Sequence, residues 1–179
     1  SKEGLSLLHG FFDSDGNGDA VSVTTAVNVV LNDINAVVLG ASTVSGTYSV
    51  TAGGNIADAG ALLIAGASTF NAGAANNIIL DAAHNFDSDG NGDSVVITAG
   101  NDVTVNDVSA IVLGNAVVSG DLSVTAGGAI TDSGTLSVTG GTAAFSAAGF
   151  TITLDTAANN IPNVVIDSSS TVSLTCSNA

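Results

Sequence analysis

Two eight-residue stretches carry the most pointed chemistry in the chain. Phe12–Asp19 reads FDSDGNGD, and the same string recurs unchanged at Phe86–Asp93. Each places oxygen-bearing side chains at alternate positions: Asp13, Asp15, Asn17 and Asp19 in the first copy, Asp87, Asp89, Asn91 and Asp93 in the second. Glycine stands sixth from the first Asp, at Gly18 and Gly92. That is the first half of an EF-hand-type calcium loop, in which a sharp turn lets several carboxylates converge on one hard cation. The twelfth position then holds Thr24 or Thr98 rather than a bidentate Glu, and no flanking helix is expected, so a complete EF-hand is excluded. A Ca²⁺ loop on a β scaffold stays open, with further ligands from backbone carbonyls, water, or a neighbouring coil or subunit. So does a plain acidic surface turn, because Asp, Asn and Gly favour tight turns by themselves. Mutual repulsion of three carboxylates in so short a stretch argues for the cation.

The remaining reactive residues read more plainly. His9 and His84 have no Cys or second His nearby and read as lone surface or corner histidines. Cys176 is the single cysteine, which excludes an internal disulfide framework; it could link two chains but reads rather as a small buried or unremarkable thiol. Asp58 and Asp132 sit in I-x-D-x-G corners and read as turn formers. Catalysis is not expected. A lyase needs Lys or Arg and the chain has only Lys2; a glycosidase groove needs aromatic walls, whereas Tyr48 is the sole Tyr and Trp is absent. Sixteen acidic groups against one basic group give a net charge of −15, which excludes phosphate-backbone binding and attraction to an anionic membrane. The best apolar run, Ala59–Ala67, falls well short of the roughly 20 residues of a membrane span. Because the sequence starts at Ser1 and lacks Met, it reads as a processed product or an excerpt of something larger.

The elements that must hold these loops are strands. Only 9% of residues are charged while 45% are hydrophobic, and Val, Thr, Ser, Gly and Asn replace the usual helix formers. Laying Phe12 over Phe86 aligns Phe12–Gly66 with Phe86–Gly140 at 31 identities in 55 positions. After a one-residue slip, Ile78–Asp81 faces Ile152–Asp155. A third copy begins at Val164–Ile166 and Val172–Leu174, which echo Val95–Ile97 and Val103–Val105, with Asn160–Asn163 where the acidic loop would lie. Within each unit, short alternating runs such as Leu122–Thr125 and Phe150–Leu154 are separated by Gly, Asn and Asp corners. Such short strands, with a nested period near one coil of a solenoid, predict an all-β parallel β-helix, a β-solenoid of about eight or nine coils. The alternative is a pair of β-sandwich modules. The expected organisation is a lead-in at 1–11, repeat 1 at 12–85, repeat 2 at 86–159 and a partial third repeat at 160–179. Asn32, Asn106 and Asn76–Asn77 are candidates for side-chain ladders between coils. Leu5–Phe12 and Val172–Cys176 are candidate joining strands at open solenoid edges.

The strings at Leu39–Leu62, Asn71–Asn85 and Leu113–Val138 resemble repeat regions of large filamentous-haemagglutinin-like surface proteins of bacteria, many of them exported by two-partner secretion. The resemblance spans roughly Val21–Leu174 and implies a right-handed parallel β-helix, an extracellular or cell-surface location, and service as an adhesin stalk or filament. The amino-terminal secretion domain of that family is not recognisable here, and the acidic loops are not part of its usual repeat. The expected partners are further copies of the chain, head to tail, together with cell-surface or matrix glycans, and neither nucleic acid nor inserted membrane.

Overall fold

The computed structural model describes residues 5–10, 19–167 and 169–177. In chain order the strands begin with β1 (Leu5–Gly10), β2 (Ala20–Val21), β3 (Asn28–Asp33), β4 (Val37–Leu39), β5 (Ser42–Val44), β6 (Tyr48–Ala52) and β7 (Ile56–Asp58). There follow β8 (Leu62–Ile64), β9 (Ser68–Asn71), β10 (Ile78–Phe86), β11 (Ser94–Gly100), β12 (Val103–Asp107), β13 (Ile111–Val118) and β14 (Leu122–Ala126). The last are β15 (Ile130–Asp132), β16 (Leu136–Val138), β17 (Ala143–Ser146), β18 (Thr151–Leu154), β19 (Val164–Asp167) and β20 (Thr171–Leu174). Every pairing between them is parallel, each strand lying beside its counterpart one coil later, so the fold is a β-solenoid of about eight turns and not a sandwich of hairpins.

Two sheets run the length of the stack. One follows the order β1-β3-β6-β9-β11-β13-β15-β18-β20, the other β19-β17-β14-β12-β10-β7-β4-β2. Alternation puts one side of each strand inside, as in β3 and β6, and Val29, Tyr48, Val50, Phe70 and their successors form a continuous apolar column. In plain coils Val29 pairs with Tyr48 and Tyr48 with Ser68. Ser68 then pairs with Val95, in a coil lengthened by the acidic loop. Most strands are as short as the pattern predicts. β10 and β13 exceed it, because each crosses a corner with a register shift or a change of partner.

The corners are held by side chains as well as backbone. Asn28 Oδ1 accepts the N–H of Thr47, Asn55 that of Asn77, Asp102 that of Asp121, and Asp121 that of Thr142, at 2.7–3.0 Å, each reaching one coil along. Gly53 and Gly127 occupy equivalent tight corners: a Cβ there would lie 2.1 and 2.2 Å from the carbonyl oxygens of Ile34 and Val108. Backbone contact at that range excludes any side chain.

The long repeat does not span a whole number of coils. β3 and β6 lie in the first sheet, whereas their equivalents β12 and β14 lie in the second; β4 and β7 in the second sheet correspond to β13 and β15 in the first. One repeat is therefore three and a half coils, and every equivalent residue lands on the opposite face. This also separates Asn32 and Asn106, equivalent residues and both candidates for ladders between coils. They sit in different sheets and cannot stack; Asn106 Nδ2 instead donates to the carbonyl of Asp81 at 3.2 Å. An Asn ladder does form at Asn55, Asn77 and Asn101, while Asn76 Nδ2 donates to Ala72 O at 2.8 Å. Cys176 is exposed.

Candidate metal centre

The second acidic loop hangs between the buried end of β10 and the start of β11. Its root is fixed from both sides. Phe86, buried, donates its N–H to Asp107 Oδ2 at 2.8 Å in the following coil, and the N–H groups of Asp87 and Ser88 both reach Ile64 O in the preceding one, at 2.9 and 2.8 Å. The chain then turns sharply. Asp87 takes φ 116°, an unusual value for a residue with a Cβ, and Gly90 and Gly92 take φ 75° and 86°. Gly90 N–H closes a turn onto Asp87 O at 3.0 Å, and Asp87 Oδ2 accepts Gly92 N–H at 2.8 Å from across the loop.

These turns gather Asp87, Asp89 and Asp93, each offering one carboxylate oxygen, so that the three oxygens lie within 4.8 Å of one another. Oxygens bound to one Ca²⁺ at about 2.3–2.6 Å stand at most about 5 Å apart, so the spread suits a single ion. Asp87 and Asp93 are half-buried and Asp89 is exposed, and Asp87 Oδ1 is shielded from solvent with no hydrogen-bond partner among the described residues. The donor set is hard oxygen throughout, which fits Ca²⁺ better than a thiolate- or imidazole-seeking metal. Asn91 is placed differently from the motif's expectation: its Nδ2 donates to Asp89 Oδ2 at 2.7 Å and its N–H to Asp89 Oδ1 at 3.2 Å, so it braces Asp89. Thr98, at the twelfth position, has already entered β11.

Of the first copy, Asp13, Asp15 and Asn17 lie outside the described residues. Asp19, exposed, immediately precedes β2. The second loop passes from β10 in the second sheet to β11 in the first.

His84 corrects the expectation of a surface or corner histidine: it is fully buried, accepting Leu62 N–H at Nδ1 (3.0 Å). Asp58 and Asp132 are likewise more than turn formers. Asp58 accepts the N–H groups of Asp81 and Ala82 in the next coil, both at 3.0 Å, and Asp132 those of Asp155 and Thr156, at 3.0 and 3.3 Å. Asp107, which roots the loop, went unread in the sequence. The available signal was an Asp on the inward-facing phase of β12, repeated at Asp33 on β3.

Fold and loop together define a tandem-repeat β-solenoid with an acidic turn inserted at a corner. A family model described as repeats of unknown function (DUF5649) matches residues 26–91 and again 100–168. The chain belongs to that repeat family. The two matches begin at Ala26 and Gly100, which self-comparison of the sequence also sets opposite each other. Neither the curated proteins nor the solved structures give a match.

Proposed function

We propose that the chain is a structural segment of an extracellular adhesive fibre on a bacterial surface, built by axial stacking of solenoid coils and stabilised by Ca²⁺ at its acidic loops. The observation that carries this reading is the unbroken parallel stacking of both sheets, in which each coil offers the next the same N–H and C=O ladder and the same apolar column. On the outermost described coil, Val172 and Leu174 continue the columns of the fully buried Ile152 and Leu154 but are 40% and 39% exposed. In the proposed fibre a further coil stacked on this edge covers them, and where that coil belongs to a second copy of the chain, head-to-tail contact propagates into an open filament. The resemblance to filamentous-haemagglutinin-like repeats supports the location and the adhesive role, with surface or matrix glycans as the partners bound. No catalytic role is proposed. In the second reading the same rod is a monomeric stalk segment of a larger adhesin.

Negative-stain microscopy of the purified protein, in calcium and in chelator, separates these. Filaments in calcium that disassemble in chelator support polymer and metal together, and filaments indifferent to chelator support the polymer alone. Discrete rods in both conditions overturn self-assembly and leave the stalk. Calcium itself is tested by isothermal titration: saturable binding that weakens at least tenfold in Asp87→Asn supports the centre, and heats unchanged by that substitution overturn it.

A further inference from the structure

Beneath the loop, the coils of repeat 1 are joined by a group that repeat 2 replaces. His84 on β10 accepts the N–H of Leu62 on β8 at Nδ1, which places the proton of the neutral ring on Nε2. Nε2 lies 3.3 Å from Asp58 Oδ2, an ion-pair distance at an angle too oblique for a good hydrogen bond, and both side chains are buried. The ring also packs on Phe86, 5.1 Å between centroids. In repeat 2 the same place is taken by Asn159: its Oδ1 accepts Leu136 N–H at 2.8 Å and its Nδ2 donates to Asp132 Oδ2 at 2.6 Å. An amide and a neutral imidazole supply the same acceptor and donor. Only the imidazole can take up a proton, and if it does, an Nδ1–H points at the Leu62 N–H and two donors face each other.

Three carboxylates surround the ring: Asp58 from β7, Asp107 from β12 and Asp81 on β10 itself, while β8 contributes only the Leu62 N–H. Their attraction favours the imidazolium. Burial opposes it more strongly and holds the imidazole below its usual value.

We infer that His84 is an acid-sensitive latch between the coils of repeat 1, whose protonation breaks the bond to Leu62 and loosens β10 from β8 while repeat 2, latched by Asn159, stays closed. The sign follows from linkage. With the folded-state value lowered, the unfolded chain takes up the proton first as pH falls through about 6.5. The stabilisation is complete above that pH and is lost on the way down to the folded-state value, with the unfolding constant rising by up to tenfold per pH unit. The test is urea unfolding and amide hydrogen exchange of the full chain between pH 7.5 and 5.0, for wild type and His84→Asn. The expected result is a steeper loss of stability in wild type than in His84→Asn, with protection at Leu62 falling faster than at Leu136. Parallel pH profiles for the two proteins, or equal acid sensitivity at Leu62 and Leu136, overturn the latch. Should His84→Asn not fold, the His9→Gln variant leaves one imidazole to titrate by NMR. A midpoint below 6.5 supports the latch and one at or above it overturns the latch.

Discussion

Repeats 1 and 2 share a backbone plan but fill it differently. Through repeat 1 to the first residue of repeat 2 a chain of rings runs in the core: Tyr48 to Phe70 at 6.2 Å, Phe70 to Phe86 at 5.8 Å in an edge-on arrangement, and Phe86 to His84 at 5.1 Å. The corresponding places one repeat further on hold Leu122, Phe145, Ile161 and Asn159, all buried. Polar atoms change with the rings. Ser42 and Ser68, buried beside Tyr48, become Ala116 and Ala143 beside Leu122. Ser42 Oγ accepts Val23 N–H at 2.9 Å and donates to Gly40 O at 3.0 Å, but Tyr48 Oη and Ser68 Oγ have no hydrogen-bond partner among the described residues. Burial also pushes the Tyr48 phenol far up from its ordinary value, with the Ser42 hydroxyl pulling slightly the other way. The difference teaches that side chains in a solenoid core are exchanged as neighbouring sets. Tyr with two serines gives way to Leu with two alanines, and the coil spacing survives because backbone ladders set it.

The largest test of that contrast is Phe70→Ala against Phe145→Ala. Both empty a fully buried ring site at about 3–5 kcal/mol, but Phe70 also forfeits two ring contacts of about 0.5–1.5 kcal/mol each, so repeat 1 should lose more in chemical denaturation. Equal losses would mean the aromatic chain adds nothing beyond its volume. Next come Asp58→Ala and Asp132→Ala, each of which deprives two backbone N–H groups of a charged acceptor and should cost about 1.5–3 kcal/mol at pH 7. Here repeat 2 should lose slightly more, since both carboxylates make the same pair of backbone contacts but Asp132 also accepts Asn159 Nδ2 at 2.6 Å, whereas Asp58 meets His84 only obliquely. The smallest effect is Tyr48→Phe. Removing an unpartnered buried hydroxyl leaves stability within about 1 kcal/mol, on the stabilising side, and the thermal midpoint should hold or rise. A loss of about 2 kcal/mol, the size expected when a buried partner is orphaned, would show that the hydroxyl is hydrogen-bonded after all.

How much of this was legible depended on the kind of interaction. Period-two runs such as Leu122–Thr125 announced strands, and the exact recurrence of FDSDGNGD announced both the repeat and its acidic turn, because each is written in consecutive residues. The half-coil offset was not legible. It follows from how many coils one repeat takes up, a property of the closed path rather than of any local pattern, and it is what separates Asn32 from Asn106. His84 was misread for a related reason. A histidine without a nearby Cys or His reads as exposed, and its partners Leu62 and Asp58 sit a whole coil away along the chain. The one-residue alignment slip that sets Asn159 opposite it also hid the substitution that reveals its role.

The half-coil offset makes the repeat a screw operation: half a coil's rotation about the solenoid axis, from one sheet to the other, with an advance of about 17 Å, at roughly 4.8 Å per coil. A flat partner lying along such a rod meets the same repeat surface only at every second repeat, about 34 Å apart. The genetic corollary is a parity rule. Gain or loss of one repeat turns every surface beyond it to the opposite side, whereas gain or loss of two restores the original facing.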